Sequence, residues 1–345
     1  MERTIYQFDH LARVADGFTR APLKVLEGER ASHAVRVGVI LNRRSHQNTA
    51  ETRECEDRSN VSVACPETRL DIALELARFA EKGIDLLVIS GGDGTVRDVL
   101  TMGQPVFGKN WPKIAVLPKG KTNALNVDLG SPNDWTLAQA IDAYSTGRTV
   151  VRRPLAVRAA GSSDPAMLGF IFGAGAFTHG VDAGQDAHRV GFFNSLAVGV
   201  TSAWGVLQAL FGSDSNRWRR GAEMDLAYLP SRKPMPHSGH GDTNRRQILL
   251  ASTLSTMPLG LQLFGKGQKG VRLLVLDHPR RRVLFSVPAI LAGWHPRWLD
   301  SAGLHHFAAE GFSITLDSSF ILDGEHFGSG TYSVEQGPEL TFVAG

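Results

Sequence analysis

Apolar residues follow two different rhythms along this chain, and the change falls near Val150. Before it, Val35 to Leu41, Val61 to Cys65, Ile84 to Ser90 and Lys113 to Leu117 are short apolar runs rich in β-branched residues. Such runs are expected of strands buried on both faces of a parallel sheet. Between them, Pro66 to Lys82 carries Leu70, Ile72, Ala73, Leu76, Ala77 and Ala80 at helical spacing, which predicts an amphipathic helix packed on that sheet. Thr95 to Met102 and Leu137 to Tyr144 read as further helices. Ser45 to Asn60 is polar, has no period and reads as a mobile loop.

Beyond Val150 the helical segments stop alternating with strands. Arg153 to Ala159, Leu168 to Phe172, Met224 to Leu229, Ile248 to Leu254, Val271 to Leu276, Val283 to Val287 and Phe312 to Leu316 read as short strands separated by glycine-rich breaks. Repeated short strands without intervening helices predict an antiparallel β-sandwich. The expected architecture is an N-terminal extension over 1–34, a Rossmann-like α/β nucleotide-binding domain over 35–150 and a β-sandwich lipid-binding domain over 151–345. A return of the last strand to the first domain stays open. Two substrates would meet in the cleft between the domains.

Composition narrows the class. The chain has 345 residues, enough for two domains and a large core, with 42% hydrophobic and 21% charged residues. A net charge of +3 with a pI near 8.9 permits local basic patches but does not point to nucleic-acid binding. Cys55 and Cys65 are too few for a disulfide framework or a zinc site, which fits a reducing cytosol. Asp9, Asp16, Glu27 and Glu29 lie among short apolar pieces, a pattern of neither a signal peptide nor a transit sequence. Phe192 to Ser213 is uncharged over a length approaching a membrane span. Its Asn194, Ser195, Thr201, Ser202 and Gln208 favour a buried helix under a lipid pocket over a lipid-facing one. No internal repeat or low-complexity tract occurs, and no feature specifies an oligomeric state.

The candidate chemistry lies at Gly91, Gly92, Asp93, Gly94 and Thr95, between a predicted strand and a predicted helix. A glycine-rich turn there lets backbone amides and the positive helix end approach a phosphate. Glycine spacing alone fits any tight turn, but Asp93 would repel a phosphate unless it holds a metal or takes a proton from an attacking hydroxyl. A second turn spans Pro118 to Asn123. Ala115 to Thr122, AVLPKGKT, is one residue short of a Walker A loop, with Ala115 in place of the first glycine and inside the apparent strand.

Three ordered motifs resemble one family. Ser90-Gly91-Gly92-Asp93-Gly94-Thr95 is similar to the signature of the diacylglycerol kinase, sphingosine kinase and ceramide kinase superfamily, shared more distantly with NAD kinases. Leu117-Pro118-Lys119-Gly120-Lys121-Thr122-Asn123 resembles its second glycine-rich loop, and Asp323-Gly324-Glu325 its late acidic motif, the latter also an ordinary hairpin dipeptide. The resemblance runs roughly from Val35 to Phe342 and implies transfer of the ATP γ-phosphate, with Mg²⁺, to a primary hydroxyl of a neutral lipid: ceramide, a sphingoid base or diacylglycerol. It implies amides from Gly91 to Thr95 and from Gly120 to Asn123 on the phosphates, with Lys121 and Thr122 beside them. It further implies Asn42 near the nucleotide, and Thr68 either as helix cap or as phosphate contact. Asp93 or Asp323 would be the base, and Asp323 or Glu325 would hold magnesium. Gly173 to Ala183 resembles the segment lining the lipid head-group pocket, which makes His179 and Asp182 candidates for the acceptor's polar end.

Two departures qualify the resemblance. The family's Asn-Pro-x-Ser-Gly reads Asn42-Arg43-Arg44-Ser45-His46 here, so Arg43 and Arg44 either reach phosphates or are solvated. An acidic segment that holds a structural magnesium in many bacterial members is replaced by Gly265-Lys266-Gly267-Gln268-Lys269-Gly270, which tilts the expected substrate toward ceramide or a sphingoid base. Trp294, His295, Arg297 and Trp298, with Trp218, Arg219 and Arg220, suit peripheral contact with an anionic membrane surface from the cytoplasm. The alternatives are a soluble-metabolite kinase of the NAD kinase type and a non-catalytic nucleotide or lipid sensor.

Overall fold

The computed structural model describes residues 34–42, 59–162, 164–178, 221–264 and 269–345. Arg43, Arg44, Cys55, His179, Asp182, the run Phe192 to Ser213, Trp218, Arg219 and Arg220 lie outside the described residues. The predicted parallel runs form strands β1 (Val37–Leu41), β2 (Val61–Ala64), β3 (Leu86–Gly91) and β4 (Lys113–Pro118). Their sheet runs β2-β1-β3-β4 and is completed by β18 (Leu340–Ala344), parallel to β4, and by β5 (Arg148–Arg152), antiparallel to β18. The last strand of the chain therefore lies in the first sheet.

Helices cover this sheet. Helix α1 (Arg69–Glu81) starts at Thr68, whose hydroxyl accepts from the amide of Asp71 at 3.1 Å while the Asp71 carboxylate accepts from the Thr68 amide at 2.9 Å. This reciprocal capping box satisfies two end donors and fixes where the helix begins. Ile72, Ala73, Leu76 and Phe79 form its buried face, so truncating Leu76 to alanine costs roughly 2–5 kcal/mol. Helix α2 (Asp93–Phe107) is longer than the predicted segment at both ends, starting inside the glycine motif and passing through Pro105. Helix α3 (Ala124–Leu129) was not expected, and α4 (Leu137–Thr146) begins with a second capping box at Thr136 and Gln139.

The rest of the chain builds two antiparallel sheets. One contains β6 (Leu155–Ala159), β7 (Met167–Gly169), β9 (Ala222–Leu229), β10 (Arg245–Arg246), β14 (Gly311–Leu316) and β17 (Gly330–Gln336), in the order β10-β9-β14-β17-β6-β7. The other contains β8 (Ile171–Gly175), β11 (Ile248–Ser252), β12 (Val271–Leu276), β13 (Leu304–Ala309), β15 (Phe320–Leu322) and β16 (Glu325–Phe327), in the order β13-β12-β11-β8-β15-β16. They face each other through Phe172 and Phe312, whose rings are 6.0 Å apart, and through Phe320 and Tyr332 at 4.9 Å. The single strand expected over Leu168 to Phe172 is instead two, β7 and β8, belonging to different sheets with Phe170 at the corner.

The strand expected over Val283 to Val287 is not formed. The segment makes two short helices, α5 (Arg281–Phe285) and α6 (Val287–Leu291), followed by α7 (Trp298–Ser301). Val283 and Ile290, seven residues apart, point to one side and pack on Leu276, Leu299 and Leu304, a helical rather than a two-residue repeat. One hydrophobic cluster joins the first sheet to the antiparallel ones, with Phe342 of β18 edge-on to Phe170 at 6.4 Å. Among the described residues no helix is long and apolar enough to cross a membrane.

Candidate active site

The ends of β3 and β4 carry the two glycine-rich turns, and they touch backbone to backbone. A Cβ placed on Gly120 would lie 2.5 Å from the Gly92 Cα, and one on Gly92 would lie 2.9 Å from the Gly120 Cα. Only glycine at both positions permits this approach. The Lys119 amide donates to the Gly91 carbonyl at 3.2 Å. Asn123 closes the second turn on itself: its Oδ1 accepts from the Gly120 amide at 2.8 Å and its Nδ2 donates to the Gly120 carbonyl at 2.9 Å. That geometry puts Asn123 at φ 47°, a left-handed conformation asparagine tolerates, directly ahead of α3. Across the first turn, Asn42 at the end of β1 donates from Nδ2 to the Thr95 hydroxyl at 2.8 Å.

Asp93 is the first residue of α2, with Gly92 as cap and Gly94 and Thr95 in the first turn. Its Oδ1 accepts from the Leu125 amide at 3.5 Å, so its carboxylate also faces the start of α3. Burial raises its pKa, opposed by the amides of Leu125, Ala124, Asp93 and Asn123. The two turns thus direct backbone N–H groups toward the Asp93 carboxylate.

A second carboxylate reaches that space from the antiparallel sheets. Asp323 and Gly324 form the two-residue turn between β15 and β16, both with positive φ (46° and 81°). This is the backbone that an Asp-Gly hairpin favours. The Asp323 carboxylate accepts from the Phe170 amide at 2.9 Å and the Ile171 amide at 2.8 Å. Gly169 leaves room for it, since a Cβ there would lie 2.7 Å from Oδ2. Burial and then the nearby Asp93 charge push the Asp323 pKa up to about 7, against the amides and Arg97. Two carboxylates close enough to perturb each other titrate as a pair. They come from positions far apart in sequence, and only the fold brings them together.

Arg97 locks this arrangement. One turn beyond Asp93 on α2, it is 3% exposed, and it donates from Nη1 to the Leu322 carbonyl at 3.1 Å and from Nη2 to Asp98 at 2.9 Å. Its Nη2 is 3.6 Å from Glu325, and Arg69 pairs with Asp98 at 3.1 Å. One turn further, Thr101 accepts from the Leu168 amide at 3.0 Å. Asp93, Arg97 and Thr101 are spaced four residues apart and so line one face of α2. Sequence reading missed Arg97, Asp98 and Thr101; a polar i, i+4, i+8 stripe on an otherwise buried helix was the available signal.

The structure therefore brings together Asp93, Gly91, Gly92, Gly94, Thr95, Asn42, Gly120, Asn123 and Asp323, with Glu325 beside them facing Arg97. Lys121 and Thr122 are exposed at the tip of the second turn. Thr68 is engaged in its helix cap, with its hydroxyl donating to Asp71 at 2.8 Å. Among the described residues no group of three or more potential metal ligands is formed. Mg²⁺ needs only one or two carboxylates when phosphate oxygens and water complete its shell, and the Asp93–Asp323 pair fits that requirement.

Residues 36–152 match the diacylglycerol kinase catalytic domain family. Diacylglycerol kinases from two strains of Staphylococcus epidermidis are each 37% identical over 81 residues, covering 23% of this chain and 24% of their own length. A crystal structure of a diacylglycerol kinase from Bacillus anthracis superposes with a TM-score of 0.59 at 14% identity, over 92% of this chain and 99% of that one, and so shares its fold. The catalytic-domain match falls on the first sheet and both glycine turns, so this part of the chain is similar to the diacylglycerol kinase catalytic domain, while the aligned segment spans 24% of the length of the curated relatives.

Proposed function

We propose that the protein is an ATP-dependent lipid kinase that moves the γ-phosphate to a primary hydroxyl of a neutral lipid, with diacylglycerol the first candidate and ceramide and sphingoid bases behind it. The observation that carries this reading is the Asp93–Asp323 pair facing amides from two interlocked glycine turns. Phosphoryl transfer asks mainly for positioning and neutralised charge. Backbone amides at the start of α2 and in the second turn, apart from those of Thr95, Lys119 and Gly120 that already donate within the turns, would hold the phosphates. Asp323, with a pKa near neutrality, suits the general base that takes the hydroxyl proton, since proton transfer is best matched near the working pH. Asp93, between the two turns, would align the phosphate chain. Magnesium, held by Asp93 and the phosphates, would neutralise charge on the transferred group, while Arg97 keeps Glu325 and the hairpin in register.

We assign 35–150 to nucleotide binding and 151–345 to the lipid, with His179 and Asp182 kept as candidates for the acceptor's polar end. The diacylglycerol kinase names of the relatives favour diacylglycerol over the sphingolipids. For access to the lipid, the best-suited face carries Leu259, 81% exposed, Phe285, 69%, and Trp294, 48%. The amide of Gln262 donates to the Leu291 carbonyl at 2.9 Å, tying the Leu259 loop to α6. Arg282 stacks on Trp298 at 4.0 Å, and Trp298 lies edge-on to Trp294 at 5.9 Å. Apolar tips flanked by Arg281, Arg282 and Arg297 fit the boundary of an anionic bilayer. Incubation with labelled ATP and a panel of neutral lipids in mixed micelles tests the reading. A chloroform-soluble labelled product supports it, a water-soluble product favours a metabolite kinase, and nucleotide binding without turnover favours a sensor.

A further inference from the structure

A second basic basin lies at the other end of the first sheet. A cavity of about 490 Å³ is lined by Arg152 and Arg153 at the end of β5, Thr253 and Ser255 after β11, and Lys269 and Arg272 at the start of β12. Register places it toward the opposite strand ends from the glycine turns. Arg152 pairs with Leu340, two residues ahead of Phe342, which pairs with Ile114 near the start of β4; the glycine turns follow the opposite ends of β3 and β4. The two are nevertheless linked, because Arg152 pairs with Asp128 only three residues along α3 from Leu125, whose amide donates to Asp93.

The side chains here are not arranged merely to satisfy one another. Arg152 pairs with Asp128, and Arg153 pairs at the rim with Glu339 at 2.7 Å. Asp128 also accepts from the Thr256 amide at 2.6 Å. Four cationic side chains thus meet two carboxylates. The Arg272 guanidinium stacks on the Phe264 ring at 4.9 Å, and its Nη2 is buried with no hydrogen-bond partner. The Thr253 hydroxyl is likewise buried and unpartnered. Burial lowers the Arg272 pKa from its ordinary value, with Asp128 opposing this and Arg152 adding to it, and the guanidinium keeps its charge. A desolvated guanidinium donor and a hydroxyl left without acceptors are costly unless something else supplies oxygen atoms.

We infer that this basin is a second anion site, which takes a phosphate group through Arg272, Lys269 and Thr253. A tetrahedral oxyanion offers several acceptors to donors converging from different strands, and a guanidinium fork matches phosphate geometry. The phosphate is carried either by a small soluble phosphomonoester or by the headgroup of an anionic phospholipid, the recognised chemistry being the same. The site does not depend on the proposed kinase activity. Because Arg152 also holds Asp128 of α3, whose first turn donates to Asp93, an occupied basin adjoins the element that shapes the catalytic space.

The test uses the full chain in two arms. In the first, glycerol 3-phosphate is titrated calorimetrically into wild type, Lys269→Gln, Arg272→Gln and Gly120→Ala. In the second, the same proteins are co-sedimented with phosphatidylcholine vesicles with and without phosphatidic acid. Saturable binding in either arm, weakened at least tenfold by Lys269→Gln or Arg272→Gln and kept by Gly120→Ala, supports the site, and the responding arm identifies the source of the phosphate. Lys269 is exposed, so its variant stays informative should Arg272→Gln fail to fold. Absence of binding in both arms overturns the proposal, and so does binding that both substitutions leave unchanged or that Gly120→Ala abolishes.

Discussion

Gly120→Ala perturbs the closest contact in the candidate site. The new Cβ would sit 2.5 Å from the Gly92 Cα and 2.9 Å from Asn123 Oδ1. Carbon atoms in ordinary contact are about 3.5 Å or more apart, so the two turns must separate by roughly 1 Å. Separation also strains the Asn123 clasp on Gly120. Overpacking of this kind costs roughly 1–3 kcal/mol. The strain is relieved locally, because Lys121 and Thr122 beyond the contact are exposed and free to shift. A misplacement near 1 Å at reacting groups lowers rate by about 100-fold. Steady-state lipid phosphorylation at varied ATP should therefore show kcat/KM for ATP falling about 100-fold, with a small loss in thermal stability. Gly328→Ala, with nothing within 4 Å of the new Cβ, is the control and should match wild type. A folded Gly120→Ala protein with wild-type kcat/KM for ATP would refute the idea that the interlocked turns hold the nucleotide.

Arg97→Gln leaves Glu325, Asp98 and the Leu322 carbonyl with reduced pairing, so it should lower stability by roughly 3 kcal/mol in chemical denaturation, and Arg97→Lys should recover only part. The raised Asp323 pKa gives a signed pH effect: between pH 4 and 7 the metal-free folded state binds a proton the unfolded chain has lost. Stability should thus fall as pH rises through that window, by an amount on the order of 4 kcal/mol at 1.36 kcal/mol per unit, and Asp323→Asn should flatten the fall. Phe285→Ser with Trp294→Ser should weaken co-sedimentation with anionic vesicles at least fivefold while leaving turnover in detergent micelles unchanged.

The first sheet was legible because strands buried on both faces cannot mix polar with apolar positions, which made β1, β3 and β4 nearly unmistakable. Thr68, a cap candidate in the sequence, marked the start of α1 for a similarly local reason. Among the later strands β9, β11, β12 and β14 were legible as short apolar runs, but β13, LHHFAA, and β17, GTYSVEQ, were not, because there cross-strand partners rather than residue type decide the conformation. Val283 to Val287 misled because a short apolar run fits either period, and its neighbours in space settled it. At the site, Asp93 and the glycines stood out in sequence, whereas the burial of Arg97 is set by a hairpin more than two hundred residues downstream. Asp323 was visible as a motif, but its raised pKa comes from burial and then from the Asp93 charge, which outweigh the amides of Ile171 and Phe170, and none of these is local in sequence.

The central claim is that Asp93 and Asp323 together handle a phosphate and an incoming hydroxyl. Labelled phosphate transferred from ATP into a chloroform-soluble product should be measured across pH 5.5–8.5 for wild type, Asp93→Asn and Asp323→Asn, with circular dichroism confirming the fold of each. The account predicts wild-type turnover that rises through pH 7 and a loss of at least 1000-fold in both variants. Turnover within tenfold of wild type in a folded Asp323→Asn protein would contradict it.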